Sequence, residues 1–307
     1  MKLHYFVDPE GNFGDDLNPW LWPRLLPRLL DDNAEELLVG IGTLINHRLP
    51  TSPIKHVVGS GVGYGQLPED MRRFRFHAVR GFESAKALGL GKEHVITDAA
   101  VLIRTANLPP VAGSRSRTAL MLTGRSLQNF DWERVCERAG VAFISCHWSV
   151  DRVLSEILRC DTLLTEAMHG AIVADALRVP WVPVTCSTQV LDFKWRDWLS
   201  SLHLAYEPSR VTPLFEANRR VSGIDRAKSA VKRGMRGLGI WQSQWSAPLP
   251  RDSSAIEIDQ AVDQIRAATR RRPYLSDENL LQSHTRRYLE LIERISAART
   301  DSELAGR

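Results

Sequence analysis

The stretch 163–184, LLTEAMHGAIVADALRVPWVPV, constrains the fold more than any other part of the chain. An apolar run ends at Thr165. Met168, Ile172, Ala176 and Leu177 then recur at helical spacing, so one face of that segment can pack on a sheet. Val179-Pro180 stops the helix, and 181–184 begins another strand. The unit is βαβ. Glu166 and His169 fall in the first turn of its helix, where free N–H groups and the helix dipole favour an anion. In an open α/β sheet such a turn lies at the carboxyl end of a strand, which is where ligands bind. A capping glutamate and a histidine bonded to a neighbouring loop give the same pattern, so the wider chain must decide.

At 307 residues the chain exceeds one compact core, and two domains of roughly 100 to 150 residues each are expected. Its 40 basic residues against 36 acidic ones leave a formal charge of +4. That balance suits anionic ligands or an anionic membrane surface and does not call for nucleic acid. No apolar run approaches a membrane span, and the N-terminus lacks a signal pattern, so a cytoplasmic location is expected. Cys136, Cys146, Cys160 and Cys186 are scattered and read as buried thiols, and the histidines form no paired ligand motif. Neither a metal nor a cofactor is expected.

Strands are expected at 3–7, 37–41, 56–60 and 76–79. The turn 8–16, DPEGNFGDD, offers Asn12, Gly14 and Asp15 as a tight loop above the sheet, or as the cap of the next helix. Two strands end in alternating glycines, Gly40-Ile41-Gly42 and Gly59-Ser60-Gly61-Val62-Gly63, which points to backbone held close to a ligand or a helix. Neither completes the dinucleotide fingerprint, and NAD is rejected. Arg80 projects from a strand end and suits a forked contact with phosphate or carboxylate, or a surface ion pair.

Residues 105–117, rich in Pro, Gly and Ser, read as an interdomain linker. Strand and helix then alternate again: strand 119–123, helix 132–139, strand 141–145, helix 150–158, then the βαβ unit. Two successive doubly wound domains follow, at 1–108 and 118–215, with a basic connector and helical tail at 216–307. Lys194 stands near the start of a helix with Leu191, Trp195, Trp198 and Leu202 on its apolar positions. The basic, Trp-containing segment 226–245 can lie on a membrane surface or serve as a solvated connector. Two amphipathic helices, 255–269 and 277–296, close the chain, the second capped by Ser276.

Asn12-x-Gly14-Asp15, the Gly42 turn, Gly59-x-Gly61-x-Gly63, Val79-Arg80 with Ser84, Asp98-x-Ala100-x-Leu102 and Met168-His169-Gly170-Ala171-Ile172 with Val179-Pro180, in that order, resemble the polysaccharide pyruvyl transferase family. The likeness covers about 3–202 and is closest to the branch acting on acidic bacterial exopolysaccharides of the succinoglycan and xanthan type. It implies a GT-B-like fold, with two Rossmann-like domains facing across a cleft. It implies transfer of pyruvate from phosphoenolpyruvate to a sugar, with a ketal formed and phosphate released. A lipid-linked oligosaccharide acceptor and peripheral contact with the inner membrane surface are also implied. The chain departs from the family pattern at Ala167 and Gly81, where many relatives carry Arg and Asp.

Phosphoenolpyruvate carries two acidic groups, so the site needs fixed positive charge from Arg80, the first turn around His169, and Lys194 or Arg125. Asn12, Asp15 and Gly61 complete the expected substrate contacts. Ketal formation also needs an acid and a base, for which His169, Glu166 and Asp98 are the candidates. A nucleotide-sugar glycosyltransferase and a non-catalytic saccharide-binding assembly protein are the competing readings.

Overall fold

The computed structural model describes residues 1–108, 115–187, 190–217 and 251–305, with side chains to residue 298. Residues 109–114 of the expected linker and the whole basic segment 226–245 lie outside it.

The first unit is a parallel four-stranded sheet of β1 (Lys2–His4), β2 (Glu36–Val39), β3 (Ile54–Val58) and β4 (Phe74–Ala78), in that spatial order. Helix α1 (Phe13–Leu25) connects β1 to β2, while loops link β2 to β3 and β3 to β4. Pro19 and Pro23 inside α1 obscure its helical pattern in the sequence. Asn18 fixes this helix to the sheet: its fully buried amide donates to the carbonyls of Asp15 and Ile41 and accepts from Ile41 N–H and the Trp22 indole. Gly40 makes room for that indole, since a Cβ there would stand 2.2 Å from Trp22 Nε1. After β4 comes the short helix α2 (Phe82–Ala87). The apolar run after Asp98 is a 3-10 helix, Ala99–Thr105, capped by the Asp98 carboxylate at Ala100 N–H.

The second unit is a parallel sheet of β5 (Arg117–Met121), β6 (Ala142–Ile144), β7 (Cys160–Thr165), β8 (Trp181–Thr185) and β9 (Ser209–Arg210), ordered β6-β5-β7-β8-β9. Its connections carry α3 (Gly124–Asn129), α4 (Trp132–Ala139), α5 (Val150–Leu158), α6 (Met168–Ala176) and α7 (Asp192–Ser200). This is a doubly wound order in which the chain reverses direction between β5 and β7, so a crevice opens at the carboxyl ends of those two strands. Gly170 lets α6 settle onto them: a Cβ there would meet Met121 Sδ and Thr165 Oγ1, each at 2.8 Å.

One continuous apolar cluster includes Leu17, Leu38, Val101, Leu120, Leu164 and Ile172, joining side chains of both sheets. The tail helices α8 (Ala255–Ala268) and α9 (Glu278–Ala305) add to it. In α9 the fully buried Tyr288 donates its hydroxyl to the Thr97 carbonyl, bringing the end of the chain back to the first unit. The expected cap of this helix moves by one residue: Asp277 accepts from Leu280 N–H, while Ser276 is drawn to the Asp175 carboxylate.

Candidate active site

A cavity of about 140 Å³ lies where strand ends of the two sheets meet. The segments following β1, β2, β5, β6 and β7 contribute Asn12 to Asp15, Gly42 and Thr43, Thr123 and Gly124, Cys146, and Ala167 to His169. Met121, Tyr64 and Lys194 complete the wall. Four sequence-predicted residues, Asn12, Asp15, His169 and Lys194, therefore share one cavity.

His169 owes its position to Gly14. A Cβ on that glycine would stand 2.1 Å from the imidazole Nδ1, so only glycine lets the ring lie over the first turn of α1. Gly14 is helical, and its role is close approach rather than an unusual backbone angle. Nε2 of the ring faces Asp98 Oδ2 at 3.7 Å, and neither atom has a hydrogen-bond partner. That separation is an ion-pair distance rather than a hydrogen bond. Asp98 is fully buried and faces the Nε2 side of the ring, while Nδ1 lies against Gly14.

Asp15 is the one acidic side chain among the lining residues. Burial pushes its carboxyl up to about 6 from an ordinary 3.8, and nearby His169 and Lys194 oppose that rise. A carboxyl in that range holds a proton near neutral pH more readily than an exposed aspartate, which suits acid–base work. Lys194, in the first turn of α7, donates from Nζ to the Tyr64 hydroxyl at 3.2 Å. Asn12 spends its side-chain oxygen on the Gly14 N–H at 3.1 Å, capping α1. Ala167, the N-cap of α6, supplies no such side-chain bond to the first turn of its helix. Cys146 also lines the cavity, but burial pushes its thiol up to about 12 and keeps it protonated.

Glu166 and Arg80 stand behind the cavity wall. The fully buried Glu166 carboxylate accepts from Thr123 N (3.2 Å), Thr123 Oγ1 (2.8 Å), Ser126 Oγ (2.6 Å) and Cys186 N (2.8 Å). With four donors it ties together the ends of β5, β7 and β8. The guanidinium of Arg80 is likewise fully buried, donating to Asp197 Oδ2 (2.8 Å), Thr43 Oγ1 (2.7 Å) and the Val62 carbonyl (3.0 Å). Gly61 makes that possible, as a Cβ there would meet the Arg80 guanidinium carbon at 2.5 Å. Arg80 thus reaches the cavity through the Thr43 hydroxyl. Arg125 is exposed on α3, beside Gly124. Sequence reading passes over Thr43, Tyr64 and Asp197. No motif marks the first two, and Asp197 sits among the Trp residues of an apparently structural helix.

The model of the family described as polysaccharide pyruvyl transferase matches residues 54–188. The succinoglycan biosynthesis protein ExoV of Rhizobium meliloti (strain 1021) is 36% identical over 266 residues, covering 84% of this chain and 79% of that protein. The chain belongs to the polysaccharide pyruvyl transferase family. No solved structure matches it. The family match spans β3 to the end of β8, and so includes Arg80, Asp98, Glu166 and His169; Asn12, Asp15 and Lys194 lie outside it. Among the described residues no helix is long and apolar enough to cross a membrane.

Proposed function

We propose that this pyruvyl transferase takes its pyruvyl group from phosphoenolpyruvate and forms a cyclic ketal on two hydroxyls of a bacterial exopolysaccharide precursor, releasing phosphate. The observation that carries the reading is the convergence of His169, Asp15, Lys194 and the uncapped start of α6 on one cavity of about 140 Å³. This volume, below the roughly 300–1,000 Å³ of sites for drug-sized ligands, suits a compact anion such as phosphoenolpyruvate. Lys194 and the first turn of α6 receive the acidic groups of the donor.

The proton balance assigns two roles. Asp15, protonated, gives its proton to the methylene carbon while the first sugar oxygen bonds to the adjacent carbon. The second sugar oxygen then bonds to that same carbon as its bond to phosphate oxygen breaks, and the electron pair leaves with phosphate. His169 supplies the proton to the departing phosphate. The two protons lost by the hydroxyls restore Asp15 and His169. Asp98 orients the imidazole, and Glu166 and Arg80 hold the strand ends on which the site stands.

The wider reading has the two Rossmann-like units, 1–108 and 118–215, facing across a cleft as in GT-B enzymes. A lipid-linked oligosaccharide would be presented to the protein at the cytoplasmic face of the membrane, with residues 226–245 as its peripheral contact. The test is incubation with phosphoenolpyruvate and an exopolysaccharide-derived oligosaccharide. Acceptor-dependent phosphate release with a pyruvyl mass gain supports the reading; a mass gain only with nucleotide sugars rejects it.

A further inference from the structure

A second, larger cavity of about 530 Å³ adjoins the first. Residues alternate between the two: Glu10, Ser145 and His147 line the larger, while Asn12 and Cys146 line the smaller. His147 of the larger cavity lies close to Gly124 of the smaller: its Cε1 would stand 2.9 Å from a Cβ on that glycine. His147 Nδ1 lies 2.7 Å from the Gly11 carbonyl oxygen, which can only accept, so the proton of the neutral ring sits on Nδ1. Nε2 is then an acceptor, and it makes no hydrogen bond to the described residues.

The remaining walls have a distinct chemistry. Trp148 and Phe143 meet edge to face, with centroids 5.9 Å apart and planes at 82°. Trp148 is half-buried, and the Arg152 guanidinium covers one ring face at 3.5 Å. Glu10, Asp131 and Glu133 add carboxylates, and neither lysine nor arginine lines the cavity. Gln128 Nε2 donates to Glu10 Oε2 at 3.0 Å, closing the rim between the first loop and α3. Carboxylates repel phosphates and nucleotides, whereas they accept hydrogen bonds from hydroxyls. Indole and phenyl groups offer apolar surface to the C–H faces of a pyranose.

We propose that this cavity is the acceptor subsite, binding a neutral saccharide unit with a hydroxyl donating to His147 Nε2 and thereby aimed at the donor cavity. This rests on the pyruvyl-transfer reading for its purpose, but not for its binding test. The probes are the neutral oligosaccharides cellotetraose, laminaritetraose and galactotetraose, with saturation-transfer NMR on the full chain. At least one should receive saturation from the parent, and Trp148→Ala should weaken its binding about tenfold. Phosphoenolpyruvate affinity, measured by calorimetry, should change by less than about twofold in the same variant. His147→Ala provides a second variant: it too should weaken the oligosaccharide, with an unchanged circular dichroism spectrum. No saturation of any probe by the parent, or equal oligosaccharide binding in parent and both variants, overturns the proposal. If phosphoenolpyruvate fails to bind the parent while the oligosaccharide does, the donor reading falls and the saccharide subsite stands.

Discussion

Removing the acid that Arg80 grips should disable the protein through its fold before its chemistry. Asp197 and Arg80 are both fully buried, and the carboxylate accepts from Arg80 Nε at 2.8 Å, Ser84 N at 2.7 Å and Ser84 Oγ at 2.6 Å. Asp197→Ala strands a guanidinium in the interior, at about 3–5 kcal/mol, and leaves two Ser84 donors to find new partners. Against a total stability of roughly 5–15 kcal/mol, that is enough to unfold a large fraction of the protein at moderate temperature. Urea titration followed by circular dichroism should show the midpoint falling sharply. Arg80→Met/Asp197→Leu should recover most of the loss, because the buried charges leave together. Two results would refute the argument. One is Asp197→Ala within about 1 kcal/mol of the parent, where surface changes fall. The other is Arg80→Met with undiminished stability and no phosphoenolpyruvate affinity, which would return the guanidinium to direct donor contact.

Asp15→Asn should abolish turnover yet stabilise the fold. A carboxyl raised to about 6 from 3.8 is penalised when ionised, and roughly two units correspond to about 3 kcal/mol. The gain should be full above about pH 6 and shrink as pH falls from about 6 toward 4, where the folded parent takes up the proton before the unfolded chain does. Thermal melts across that range check the sign, and a variant less stable than the parent at pH 8 contradicts it. Gly14→Ala should displace the His169 ring and cut the pyruvyl-transfer rate at least about tenfold while leaving secondary structure intact; parental activity would mean the ring has another acceptable position. Glu166→Gln puts an amide donor among four donors, so a loss of about 2–4 kcal/mol in denaturant unfolding is expected, and an unchanged midpoint would remove its role as a tie between strands.

The sequence makes the βαβ unit at 163–184 legible because two signals agree there, an apolar period and a proline stop, and β7, α6 and β8 follow them closely. The Asn12 cap marks the start of helix α1 in the sequence, whereas its extent is hidden because Pro19 and Pro23 break the usual pattern, and its hold on β2 through Asn18 is a tertiary contact. The glycine-rich strand ends announce close approach but not to what: Gly59 meets Ala99 and Tyr288, Gly61 meets Arg80, and Gly14 meets His169. The charge on Arg80 is visible in the chain, whereas its partner Asp197 is more than a hundred positions away. Distance along the chain likewise hides the pairing of Asp98 with His169 and the burial that raises Asp15. Residue types indicate which chemistry is available; which side chains share a cavity depends on contacts that no local pattern encodes.

The most direct measurement is a calorimetric titration of phosphoenolpyruvate into the parent and into Lys194→Ala. One site per chain is expected in the parent, with affinity falling at least about tenfold when the ammonium is removed, as loss of a charge-assisted contact of about 1.5–3 kcal/mol requires. Equal affinity in the two proteins, or no binding to the parent, would contradict the assignment of this cavity to the donor.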